Sequence, residues 1–189
     1  MRSLALHTGG DLGDSHNWRA GLSVLSAKAS DQALLATDAA GNAATSVFNG
    51  STRVWIADAV WKWAPRGNAT QTNFKLQGEY LRSSRSGSLI DDAGSEAALR
   101  TVQSGWYVQG IYQFMPRWRV GLRSERLDAG SDGGGLRPHK NSLMVDFNAS
   151  EFSRLRLQLA QDHAREGAAD RQLFLQYQMS LGAHGAHGY

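Results

Sequence analysis

The chain of 189 residues has no cysteine, three prolines and no long apolar run. Without cysteine there is neither a disulfide framework nor a thiolate metal site to organise the fold. Without about eighteen consecutive apolar residues there is no membrane-spanning helix. The mean hydropathy of −0.41 agrees with that exclusion, but it leaves membrane strands open, because a strand in a barrel wall shows lipid only every second residue. Basic runs are missing too. The 20 Lys and Arg, against 17 Asp and Glu, are scattered singly. The pI near 9.4 therefore reads as a property of one sheet face, and nucleic acid is not an expected partner. Ser, His and Asp all occur, yet no spacing sets a nucleophile beside its base, so neither an enzyme nor a cofactor is expected. The opening MRSLALHTGG lacks the apolar core and cleavage site of a secretory signal.

What the chain does have is period two. In Ser104–Asp128, Trp106, Val108, Gly110, Tyr112 and Phe114 alternate with Tyr107, Gln109, Ile111 and Gln113. After Met115-Pro116-Arg117, Trp118, Val120 and Leu122 alternate with Arg119, Gly121, Arg123 and Glu125. Two alternating segments joined by so short a turn predict an antiparallel hairpin. The same alternation predicts nine strands, at 4–8, 18–28, 52–63, 73–83, 104–115, 118–128, 141–147, 153–162 and 171–181. Unpatterned Ala-, Ser-, Asp- and Gly-rich stretches at 29–51, 84–103 and 129–139 predict long loops. Counting back from the last strand, these fall on one rim and short turns on the other.

The aromatics decide between a soluble sheet and a barrel wall. Trp18, Trp61, Trp63, Phe74, Tyr112, Phe114, Trp118, Phe147 and Tyr177 crowd the short-turn rim, and Trp55, Tyr80 and Trp106 stand at the far ends of their strands. From Trp55 to Trp63, eight residues at ~3.3 Å each and a ~40° tilt separate the rings by about 20 Å, near the ~25 Å apolar band of outer-membrane barrels. The expected fold is therefore all-β, an antiparallel up-and-down transmembrane β-barrel portion. Its odd strand count and missing signal predict that N-terminal strands belong to a longer precursor.

The opposite face carries Arg19, Asp58, Lys62, Lys75, Glu79, Arg119, Arg123, Glu125, Asp146, Arg154 and Arg156. As lumen lining, this basic surplus favours small polar, anionic solutes. As scaffolding, the same charges pair across strands and stiffen the wall. His184 and His187 are three apart, so on a strand they point to opposite faces and make weak metal candidates at best. Asp91, Asp92, Glu96, Asp128 and Asp132 are candidate loop ligands for calcium or for cations bridging lipopolysaccharide.

Three segments, GWYVQGIYQFMPRWRVGLRSERLD, DFNASEFSRLRLQLAQD and LFLQYQMSLGAHGAHGY, resemble the C-terminal half of a family of Gram-negative outer-membrane barrels. These are porin-like proteins, described as zinc-regulated or TonB-dependent-receptor-like. The resemblance runs from Trp18 onward and implies a cell outer-membrane location. It also implies contact with outer-membrane lipid and lipopolysaccharide, with the barrel assembly machinery, and with small polar solutes crossing a channel. One departure is the Gly/His/Ala tail before Tyr189, where many such barrels end on an aromatic of the last strand. Two rivals remain: the barrel of a TonB-dependent, zinc-linked receptor, and a soluble β-sandwich binding module.

Overall fold

A computed structural model describes residues 1–37, 43–130, 137–165 and 167–181. His184, His187 and Asp132 lie outside the described residues. One sheet holds nine strands in chain order: β1 Arg2–Leu12, β2 His16–Thr37, β3 Ala43–Trp63, β4 Asn73–Ile90, β5 Glu96–Met115, β6 Trp118–Asp128, β7 His139–Ser150, β8 Ser153–Arg165 and β9 Ala168–Met179. Every neighbouring pair is antiparallel. Among the described residues the only helical element is a 3₁₀ turn at Pro65–Gly67. The alternating segments therefore fold as their periodicity dictates, up and down without a crossover.

Two of the expected loops are largely strand in their described residues, at 29–37 with 43–51 and at 84–90 with 96–103. β2 and β3 pair as far as Thr37 opposite Ala43, and β4 and β5 as far as Ile90 opposite Glu96. The small residues of 29–51 and 84–103 give no hydrophobic period, but backbone ladders need none, and two long neighbours template each other. One irregularity interrupts the first hairpin, between Ala29 and Gln32. There Asp31 has φ 53° and its N–H donates to Asn49 Oδ1 at 2.7 Å. β1 likewise runs beyond the expected 4–8, because Gly9, Gly10 and Asp11 pair with Arg19, Trp18 and Asn17 although none of the three carries an apolar signal.

These extensions correct the expected difference between the rims. One rim joins β1 to β2 at 13–15, β3 to β4 at 64–72, β5 to β6 at 116–117 and β7 to β8 at 151–152, and the other joins β2 to β3, β4 to β5, β6 to β7 and β8 to β9. Loop length does not separate them cleanly. What distinguishes the second rim is that β2 to β5 project beyond β6 to β9. β2 is 22 residues long and β6 is 11.

The sheet is open. β1 pairs only with β2, and β9 only with β8. Because nine is odd, these two edge strands run in the same direction.

Burial is inverted relative to a water-soluble sheet. The enclosed side chains are Phe48, Thr101, Gln113, Met144, Asp146 and Ala160. In the register, all six belong to the face that carries the charges. Asp146 is only 1% exposed. The opposite face displays its large apolar residues: Leu22, Trp55, Leu76, Tyr80, Trp106, Tyr112, Trp118, Leu122, Leu143, Leu157 and Leu175 are all exposed. Glycine lets side chains fold down on the charged side. A Cβ on Gly21 would meet Asp58 Oδ2 and the His7 ring at 2.3 Å, and one on Gly105 would meet Leu127 Cδ2 at 2.6 Å.

Candidate functional site

Residues directly opposite one another in a ladder share a face, as do residues two apart along a strand. By that rule all eleven charged candidates fall on one face: Arg19, Asp58, Lys62, Lys75, Glu79, Arg119, Arg123, Glu125, Asp146, Arg154 and Arg156. The twelve aromatics Trp18, Trp55, Trp61, Trp63, Phe74, Tyr80, Trp106, Tyr112, Phe114, Trp118, Phe147 and Tyr177 fall on the other. Several touch across strands. Trp61 meets Phe74 edge-on at 5.8 Å, and Trp118 meets Phe147 at 4.8 Å. The far aromatic row is incomplete, however. Tyr80 and Trp106 share a row that continues through Arg126, His139 and His163, so β6 to β8 have no Trp, Tyr or Phe there, only the two histidine rings stacked at 4.4 Å. Next to Leu122, Leu143, Leu159 and Leu173 on that face stand Ser124, Asn141, Gln161 and Arg171, which shortens the apolar band over these strands.

The charged face is layered. One ladder row crosses all nine strands through His7, Gly21, Asp58, Glu79, Tyr107, Glu125, Lys140, Asp162 and Asp170. Toward the short-turn rim, the next rows hold Arg19, Gln77, Gln109 and Arg123, then Lys62 and Lys75, then Arg119, Asp146 and Arg156. Toward the projecting rim, the adjacent rows hold Ile56, Leu81, Gly105 and Leu127, then Leu25 and Val54. The face thus passes from apolar through acidic to basic. Like charges stand opposite in these rows: Asp58 faces Glu79, Lys62 faces Lys75, and Asp162 faces Asp170. Directly opposed like charges cost stability. Three of these acids are compensated from the side: Asp162 by Lys140 at 3.3 Å, Asp170 by Arg165 at 2.8 Å, and Asp58 by the His7 ring at 3.4 Å.

Two clusters stand out within the layers. A hollow of about 700 Å³ lies where the apolar and acidic rows meet, and Val54, Leu81, Tyr107, Arg123, Glu125, Leu127, Lys140 and Asp162 line it. Arg123 packs over the Tyr107 ring at 4.0 Å and pairs with Glu125 at 2.6 Å. Lys140 pairs with Asp162 at 3.3 Å and donates to Gln172 Oε1 at 2.7 Å. This hollow can hold a small solute with an apolar part and charged groups.

The second cluster is a buried network near the short-turn rim. Arg156 Nε and Nη2 donate to the two oxygens of Asp146 at 2.7 and 2.9 Å, and Arg154 stands 3.8 Å away. Arg154 also bonds Gln178. Arg119 donates to Gln113 Oε1 at 3.1 Å, and Gln113 Nε2 points at the carbonyls of Ala69, Thr70 and Gln71, 2.8 to 3.4 Å distant. The turn 64–72 is therefore bound to the charged face.

Sequence reasoning left Lys140, Asp162 and Asp170, as well as His7, out of the charged face. The signal for Lys140 was present, since period two carried back from Met144 and Ser142 reaches it. The loop acids find local employment instead of forming a cation site. Asp91 Oδ1 accepts from the N–H groups of Ala93 and Ser95, Asp92 Oδ2 from Thr45 N–H, and Asp128 Oδ1 from Gly130 N–H. Glu96 opens β5 opposite Ile90. Among the described residues no group of three His, Asp or Glu side chains is arranged to hold a metal ion.

No family model matches the chain, and no solved structure matches it. An uncharacterized protein of Aquifex aeolicus (strain VF5) is 32% identical over 125 residues, which covers 60% of this chain and 26% of that protein. The matching stretch thus spans about a quarter of the relative's length.

Proposed function

We propose that this sheet is part of the wall of a transmembrane β-barrel in an outer membrane, with the charged face lining a passage for small polar solutes. The observation that carries the reading is the inverted burial. Apolar side chains are exposed across a continuous face while Asp146 and Gln113 are enclosed on the other. In water the exposed face would cost free energy in proportion to its apolar area, whereas in lipid it is the favourable arrangement. Exposed patches of this extent are also far larger than soluble monomers present.

Closure supports a longer wall. Joining β9 directly to β1 would create a parallel seam, so an antiparallel barrel needs an odd number of further strands between them. A relative several times longer than the matched stretch fits that requirement. The outer-membrane porin-like family named above belongs to the same proposal.

The test is to refold the full chain in vesicles containing lipid brominated along the acyl chain. Tryptophan emission should be strongly quenched, because Trp55, Trp61, Trp106 and Trp118 are exposed on the apolar face. Unquenched emission from a monodisperse, detergent-free protein would favour the soluble sandwich.

Selectivity follows from the basic rows. Seven cations, Arg19, Lys62, Lys75, Arg119, Arg123, Arg154 and Arg156, lie between the acidic row and the short-turn rim. A pore passing them should prefer anions. In planar bilayers under a salt gradient, K62E/K75E should move the reversal potential toward cation preference. An unchanged potential would mean that these rows do not face the conducting path.

A further inference from the structure

We propose that Arg53, Arg82 and Arg100 form a phosphate-binding site on the outside of the sheet, taking the phosphorylated headgroup of a membrane lipid. The lipid source rests on the membrane reading above, while the phosphate chemistry does not.

The register brings the three arginines together. Arg53 on β3 lies opposite Ser84 on β4, which lies opposite Val102 on β5. One row toward the short-turn rim Arg82 lies opposite Trp55, and one row the other way Arg100 lies opposite Ser86. All belong to the face of the aromatics. Neighbouring strands are about 4.8 Å apart and alternate residues about 6.7 Å apart. The Cα atoms of the three therefore surround Ser84 at separations of roughly 8 to 14 Å, within which long guanidinium side chains can converge. A hollow of about 340 Å³ lies among them, lined also by Trp55, Ser84 and Ser86.

Charge separates this cluster from the paired arginines of the charged face. Arg123, Arg154 and Arg156 each have a carboxylate within 4 Å. Arg53, Arg82 and Arg100 form no ion pair with a described residue, and no carboxylate lines the hollow. Three unneutralised guanidiniums around one hollow call for an anion from outside the chain. The planar fork of Arg suits the tetrahedral, multiply charged oxygens of phosphate.

Position argues for a lipid over free phosphate. The hollow begins at Trp55, on the rim side of the exposed aromatics Tyr80 and Trp106, and Val102 beside it is also exposed. An anchoring Trp marks the boundary between acyl chains and headgroups. A phosphomonoester held by the arginines would then lay its chains down over Trp55 and Tyr80.

The full chain, refolded in a neutral detergent, is examined by native mass spectrometry with dimyristoyl phosphatidic acid and dimyristoyl phosphatidylcholine in equal amounts. Phosphatidic acid should be retained preferentially. R53Q/R82Q/R100Q should reduce its retention about tenfold or more, whereas R126Q, which removes an outward arginine from a neighbouring strand, should leave it within about twofold. If millimolar inorganic phosphate binds in calorimetry and displaces the lipid, the site is one for free phosphate and the lipid assignment is overturned. Equal retention by the triple variant overturns the site altogether. Retention lost on triple substitution in a chain whose tryptophans brominated lipid leaves unquenched would keep the phosphate site and remove the membrane reading.

Discussion

Asp146→Ala should destabilise the folded chain by about 3 kcal/mol, the low end of what breaking a buried ion pair costs. The carboxylate is almost wholly enclosed, while Arg156 and Arg154 keep about a quarter and a third of their side-chain surface. Removal therefore strands two cations that retain some access to water, and two charge-assisted hydrogen bonds at 2.7 and 2.9 Å are lost. The check is the urea midpoint of refolded protein, combined with R156L in a double-mutant cycle. Once Arg156 is gone, losing Asp146 should cost less, giving a coupling of about 1.5–3 kcal/mol. A coupling near zero would mean that the pair is solvated in the working protein and that the enclosure seen on this sheet is not maintained.

The second large effect turns on sign. Leu157 is exposed in the middle of the apolar stretch Leu155, Leu157 and Leu159 of β8, flanked across strands by Val145 and Leu175. In a bilayer, Leu157→Arg should cost about 2–4 kcal/mol, the penalty for a cation on the lipid face near the midplane. In water, trading an exposed leucine for arginine should change stability by less than about 0.5 kcal/mol and raise solubility. Folding titrations into vesicles, with Leu157→Ala as reference, separate the two. A loss below about 1 kcal/mol would sink the membrane proposal more directly than any change on the charged face.

The two faces were legible because period two is imposed by the pleat itself. Once Trp106 and Tyr112 were assigned to one side, Tyr107, Gln109 and Arg123 had to share the other. The register confirms that separation across every ladder. Strand ends were harder to read. Residues such as Ala33, Ser86 and Ala98 carry no apolar period, and their extended state comes from the neighbouring strand rather than from their own side chains. Lys140 was overlooked for the same reason, since β7 begins at His139, ahead of its first apolar residue. The hold of Ala69, Thr70 and Gln71 on Gln113 joins parts of the chain more than forty residues apart, and no local pattern encodes it. The layering of charge was also hidden. It needs the offset between strands, which turn lengths alone do not reveal when a bulge such as that between Ala29 and Gln32 intervenes.

The unequal heights of neighbouring strands have a mechanical consequence. The last ladder pair between β5 and β6 is Ser104 with Asp128, beyond which Gln103 Nε2 donates to the Ala129 carbonyl at 3.2 Å, and among the described residues β5 continues upward to Glu96 with a ladder to β4 alone. From Gln103 to Glu96, at ~3.3 Å per residue, about 25 Å of backbone carries no second ladder among the described residues. The sheet therefore has a step between β5 and β6, and the hollow around Arg123 and Lys140 lies at its foot, beside the taller strands. In the proposed pore, a solute would meet the taller strands β4 and β5 before it reached that hollow.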